Sequence, residues 1–106
     1  MTAYVALQPQ VARAQQTPLS YEQKYCLGMA GVAAGTIEMV QSGGRSWSQV
    51  QNQLVRTVSQ AGWPLGQADF DKAIEIGLIG VRGGDDPRTV AQVIIRECLA
   101  YTWYAK

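Results

Sequence analysis

A chain of 106 residues that is 47% hydrophobic, 16% charged and formally +1 has the composition of one packed domain. That balance excludes disorder and gives no reason to expect nucleic acid or an anionic membrane as partner. Histidine is absent, which removes the commonest general base and the usual zinc ligand, and with them Ser-His-Asp and Cys-His catalysis.

Residues 1–18 read as a flexible N-terminal tail or as the remnant of an export signal. Ala3–Leu7 is a short apolar stretch, and Ala12 and Ala14 make the small-x-small pattern that signal peptidase prefers. A basic leader and a longer apolar run are missing, and Pro9 and the glutamines interrupt what is there, so both readings stand. No apolar run approaches the ~18 residues that a membrane-spanning helix requires. Residues 19–106 are expected to form one helical domain.

The first helix has two rival starts. Thr17 before Pro18 suits an N-cap with proline at the first helical position, and Ser20 with Gln23 makes a capping box. Apolar or small residues then recur at Cys26, Met29, Ala30, Ala33, Ile37 and Val40 until Gly43-Gly44 stops the helix. Interior glycines at positions 28, 31 and 35 each cost ~1 kcal/mol against alanine, so a neighbouring helix is expected to approach this small-residue face closely. A membrane-dimer reading of Gly31-xxx-Gly35 fails because Glu22, Lys24 and Glu38 interrupt any spanning stretch.

The second helix opens on another capping box, Ser46 with Gln49, carries Trp47, Val50, Leu54, Val58 and Ala61 on one face, and ends at Gly62 and Pro64. The third is expected over about Ala68–Arg82, with Phe70, Ala73, Ile74, Gly77, Leu78 and Val81 in helical register and Gly83-Gly84 closing it. The fourth begins with Asp86 as N-cap and Pro87 behind it, lines Val90, Ala91, Ile94, Cys98 and Tyr101 along one stripe, and broadens that stripe with Val93, Ile95 and Leu99. Val93-Ile94-Ile95 would also suit a strand, but the capped start and a stretch of about 17 residues favour helix.

Cys26 and Cys98 lie far apart in sequence and neither belongs to a CxxC pair. They are either a disulfide or two inert thiols; an even count in a short chain favours the bridge if the protein is exported. An up-down-up-down order of four helices puts both cysteines at the same end, Cys26 about two turns into the first helix and Cys98 about two turns before the end of the last, which makes the bridge geometrically reasonable. The fold class expected is therefore all-α: a four-helix single domain, antiparallel and bundle-like, with one disulfide joining first and last helices.

Chemistry is sparse. Asp69 and Asp71 are two apart on a helix and point in different directions, Asp85-Asp86 is explained by capping, and Glu38, Glu75 and Glu97 fit solvated helix faces, with Arg96 or Lys24 as a pairing option for a partly buried Glu97. No catalytic residue, metal ligand or cofactor is expected. The stretches Ser42–Ser46 and Arg82–Asp86 are glycine-rich but match neither phosphate-binding pattern and follow no strand. In the up-down order both lie at the end opposite the cysteines, so that Arg45, Trp47, Arg82, Asp85, Asp86 and Arg88 form one charged rim, either a loop-to-loop salt-bridge network or a partner-binding surface. Tyr21, Tyr25, Tyr101, Trp103 and Tyr104 are expected to meet at the disulfide end, as core and lid packing or as an exposed aromatic patch.

Cys26 early in the first helix, the small residues Met29-Ala30 to Ala33-Ala34, the Gly-Gly-Arg-Ser turn and Cys98 in the last helix give a pattern across roughly Tyr21–Tyr104 that resembles two groups of small exported bacterial helical proteins. One is the type VI secretion amidase-immunity proteins, which are periplasmic and insert into the active site of a cell-wall-cleaving toxin. The other is the periplasmic acid-stress chaperones, small helical proteins held by one disulfide. The resemblance carries over no functional residue. It implies a periplasmic or secreted, non-catalytic protein-binding domain of inhibitor or immunity type, whose partner would be a cell-wall hydrolase toxin. A helical chaperone or structural subunit, a homodimer and, third, a carboxylate-dependent hydrolase are the alternatives.

Overall fold

A computed structural model describes residues 18–105, and within them the chain forms four helices and no strand. They are α1 (Tyr21–Ser42), α2 (Trp47–Ala61), α3 (Gln67–Gly83) and α4 (Pro87–Ala100). The tail or export-signal reading, and Thr17 as a helix start, lie outside the described residues except for Pro18.

Each helix begins where a side chain can satisfy the free N–H groups of a first turn. The Ser20 hydroxyl accepts from the Gln23 N–H at 3.1 Å and the Gln23 side chain accepts from the Ser20 N–H at 2.9 Å. Ser46 and Gln49 repeat the arrangement at 3.3 and 2.9 Å. Asp86 Oδ2 accepts from the Thr89 N–H at 3.1 Å, with Pro87 in the first helical turn. At α3 the residue before the helix is Gly66, which has no side chain, and the Asp69 carboxylate reaches back to its N–H at 3.0 Å instead. Gly62 and Gly84 end α2 and α3 at φ 69° and 70°, in the left-handed region where a Cβ is costly.

The end of α4 differs from expectation. The helix stops at Ala100, so Cys98 sits in its last turn rather than two turns before its end. Thr102 takes φ 48° and the Trp103 N–H donates to the Cys98 carbonyl at 3.1 Å, a left-handed cap that turns Trp103 and Tyr104 back onto the domain.

The order is up-down-up-down. Tyr25 lies opposite Asp69, Ala33 opposite Gly77 and Ile37 opposite Gly80, so α1 and α3 run parallel. Cys26 meets Cys98 with Cα atoms 5.6 Å apart and Gly80 meets Val90, so α4 runs antiparallel to both. The first and last helices are joined by the expected disulfide.

The four helices do not close into a ring. α1 is central: α3 and α4 both pack along it, α2 rests on it alone, and α3 and α4 scarcely touch each other. Buried positions run around the circumference of α1, from Tyr25, Cys26 and Met29 through Val32 and Ala33 to Thr36 and Ile37, as a helix enclosed by its neighbours requires. By contrast only Val50 and Leu54 of α2 are buried.

The small residues of α1 make this possible, although not by one neighbouring helix. A Cβ at Gly31 would lie 2.5 Å from the Trp63 ring and one at Gly28 2.9 Å from Trp63 Cβ, so a tryptophan from the turn after α2 fills that part of the face. Further along, α3 comes in backbone to backbone: a Cβ at Gly77 would lie 2.7 Å from the Ala33 carbonyl oxygen.

Candidate functional site

The turns 43–46 and 84–86 exist because glycines end α1 and α3 and because Ser46 and Asp86 restart the chain as caps. They come to the same end of the domain: the Gln41 side-chain amide at the end of α1 donates to the Asp85 carbonyl at 3.5 Å. The disulfide lies at the other end, between the start of α1 and the end of α4.

All six residues of the charged rim are exposed: Arg45, Trp47, Arg82, Asp85, Asp86 and Arg88. They do not converge on one point. Arg45 borders a hollow of about 400 Å³ on the outer side of α2, where Gln49, Asn52, Gln53 and Arg56 supply a polar wall. Asp85 and Asp86 stand on the other side, at one end of a groove of about 640 Å³ between α3 and α4. Trp47, Arg82 and Arg88 border neither. No ion pair joins the six among the described residues, so the salt-bridge network that was one account of the rim does not form.

The groove follows from the packing. α3 and α4 each rest on α1 and diverge from each other, and the space between them is floored by Ile76 of α3 and by Val90, Val93 and Ile94 of α4. Its far end holds Lys72, Glu97 and Trp103, with the Lys72 ammonium 4.2 Å from the centroid of the Trp103 ring. Sequence periodicity missed this feature, and the signal that could have revealed it is the width of the α4 stripe. Ile94 and Cys98 suffice to pack on α1 and are buried, whereas Val90 and Val93 remain half-buried.

The aromatic residues meet only in part. Tyr25 is buried, with the Tyr21 ring 6.3 Å and the Tyr104 ring 6.4 Å away centroid to centroid, but Tyr101 is 73% exposed and Trp103 turns to the groove. Glu97 is exposed, as are Arg96 and Lys24, so the partly buried glutamate is not found.

One buried polar contact was not foreseen. The Tyr25 hydroxyl donates to Asp69 Oδ1 at 2.6 Å while Asp69 Oδ2 accepts from Gly66 N–H. Burial, then the bond to Asp69 and its charge, push the Tyr25 hydroxyl above the ordinary tyrosine range, so it stays protonated and serves as a donor. Asp71, two residues on, points away and bonds Gln67 Nε2 at 2.8 Å in solvent. The Tyr25–Asp69 contact lines none of the hollows and braces α3 against α1. Among the described residues no three acidic or cysteine side chains gather where they could hold a metal ion, and no helix is long and apolar enough to cross a membrane.

No protein-family model, curated protein or solved structure matches this chain, so neither resemblance to the amidase-immunity proteins nor that to the acid-stress chaperones gains support from comparison.

Proposed function

We propose that the protein is a non-catalytic, exported protein-binding domain of inhibitor or immunity type, which uses the loop end of the helical array against its partner. The observation that carries this reading is the rim itself. Six charged or aromatic side chains stand exposed around two turns at one end of the domain, where the Gln41 amide at the end of α1 reaches the Asp85 carbonyl, and no ion pair among the described residues occupies their charges. Arg and Trp are the residue types that anchor protein interfaces most often. The buried Cys26–Cys98 bridge fits an oxidising compartment, periplasmic or extracellular. A peptidoglycan hydrolase is the partner class favoured by the resemblance to immunity proteins.

The test is capture with the full chain from the native envelope fraction, followed by assay of the captured protein on peptidoglycan. A hydrolase whose activity falls when the chain is added back supports the reading, and charge reversal at Arg45 and Arg88 should weaken capture. A hydrolase that stays fully active in the complex would sink the inhibitor reading.

A further inference from the structure

The groove between α3 and α4 has a chemistry of its own. Its floor is aliphatic, from Ile76, Val90, Val93 and Ile94, and its polar border carries three carboxylates, Asp85 and Asp86 at one end and Glu97 towards the other, against the single ammonium of Lys72. That ammonium lies over the Trp103 ring at the Glu97 end and forms no ion pair with the three carboxylates among the described residues. Asp85, Asp86 and Glu97 are exposed, and among the described residues Asp86 bonds Thr89 while the carboxylates of Asp85 and Glu97 make no hydrogen bond or ion pair. An aliphatic trough with an excess of negative charge along its edge is complementary to an apolar surface flanked by positive charge.

We infer that this groove binds an amphipathic, basic helical segment of the partner protein. Its apolar side chains pack between α3 and α4, and its lysines or arginines face Asp85, Asp86 and Glu97. A helix fits better than a strand for two reasons. The groove is walled by two helices that already ride on a third, so an added helix packs ridge into groove as α3 and α4 do on α1. The α4 residues that line the groove, from Val90 on its floor to Glu97 on its border, span roughly 10 Å at 1.5 Å per residue, the reach of side chains at i, i+3 or i+4, and i+7 on one helix. This assignment rests on the protein-binding reading and adds to it a partner chemistry and a second contact surface beside the rim.

The experiment uses the full oxidised chain and two fluorescein-labelled peptides of about 14 residues. Both carry leucines at i, i+3, i+4 and i+7. One has lysines at both ends of the leucine stripe and its twin has glutamates there. Anisotropy titration should show the lysine peptide binding about tenfold or more tightly than the glutamate twin, with that preference shrinking as salt is raised. The double variant Asp85→Asn/Glu97→Gln, which changes only exposed positions, should bring the two peptides close to equal affinity. Val93→Glu should weaken both about tenfold or more by charging the floor. Gln60→Glu on α2 should change nothing.

Equal binding of the twins by the unaltered chain overturns the inference, as does Val93→Glu that melts cooperatively and binds both peptides unchanged. A dimer in sedimentation that Val93→Glu dissolves overturns it in favour of a second copy. A peptide of residues 1–17 that outcompetes the lysine peptide overturns it in favour of the chain's own tail. Inhibition of a captured hydrolase without any binding of the lysine peptide removes the groove and leaves the inhibitor reading intact.

Discussion

α3 has two neighbours to its sides, and it treats them in opposite ways. Towards α1 it offers Gly77 and Gly80, and the two backbones come so close that a methyl group at Gly77 would sit against the Ala33 carbonyl. Towards α4 it offers the larger Lys72 and Ile76, which line an open groove. Apolar residues line both seams, so apolar content does not distinguish them. What distinguishes them is side-chain volume at the contact: small residues permit backbone approach and close packing, and large ones set a standoff. Both α3 and α4 therefore depend on α1 for their place, α3 through close backbone approach and α4 with the disulfide in addition.

The comparison can be broken most forcefully at the bridge. Replacing both Cys26 and Cys98 by serine should cost about 4 kcal/mol in the chain-entropy model and lower Tm by roughly 15–30 °C. The loss should not be even. Hydrogen exchange should show α4 amides losing more protection than α3 amides, because the bridge ties α4 directly to α1 while α3 packs on α1 without a covalent link. Equal loss in both helices would mean that the open seam contributes more than its geometry suggests.

Within the tight seam, Tyr25→Phe removes the bond to Asp69 and should cost about 2 kcal/mol at neutral pH, as expected for a hydrogen bond to a carboxylate. The sign of its pH dependence is fixed by the direction of the shift. The folded state holds the Tyr25 hydroxyl above its unfolded value of about 10, so the contribution is whole below about pH 10 and declines as pH rises towards the higher folded value. Urea midpoints of the two proteins should thus differ by a constant amount up to about pH 9 and converge above it. A gap that widens with alkali would contradict the assigned donor.

The smallest effects sharpen the comparison best. Gly77→Ala places a methyl group 2.7 Å from a backbone oxygen that cannot move aside, and should cost about 1–2 kcal/mol even after the gain in helix propensity. Gly80→Ala meets Ile37 Cδ1 at 2.9 Å, the far end of a flexible side chain, and the same gain should leave it within about 0.5 kcal/mol of neutral. Chemical denaturation of the two single variants reads the difference. Equal costs would show that the closeness of the backbones, and not the presence of glycine, is irrelevant to the seam.

Much of the fold could be read from side chains that act locally. Ser20 with Gln23, Ser46 with Gln49, and Asp86 with Pro87 each announce a helix start through bonds made within one turn, and all three form as read. The bridge was legible because helix order alone brings the two cysteines to one end. What remained hidden depends on which neighbour a residue meets. The glycines of α1 signalled close approach, but nothing local says that Trp63 would cover Gly28 and Gly31. The bond of Asp69 left no trace in the local pattern, because its partner Tyr25 lies on another helix. The groove stayed invisible for the same reason: periodicity marks Val93 as apolar but does not say that the helix opposite would stand off from it. The six rim residues are exposed, yet only Arg45, Asp85 and Asp86 border a hollow, and the separation of Arg45 from the two aspartates is a property of how α2, α3 and α4 are arranged around α1.

That central position of α1 has a consequence for how the protein is made. The helix that ends up most enclosed is synthesised before any of its three covers, and Cys98, which must bridge back to it, follows 72 residues after Cys26. At ~5–20 residues per second, the greasiest rod of the nascent polypeptide waits on the order of 4–14 s for its last cover, exposed to other chains leaving neighbouring ribosomes. Holding factors that bind apolar helices during that interval, and an oxidant that acts only afterwards, are what the biogenesis of such an arrangement calls for.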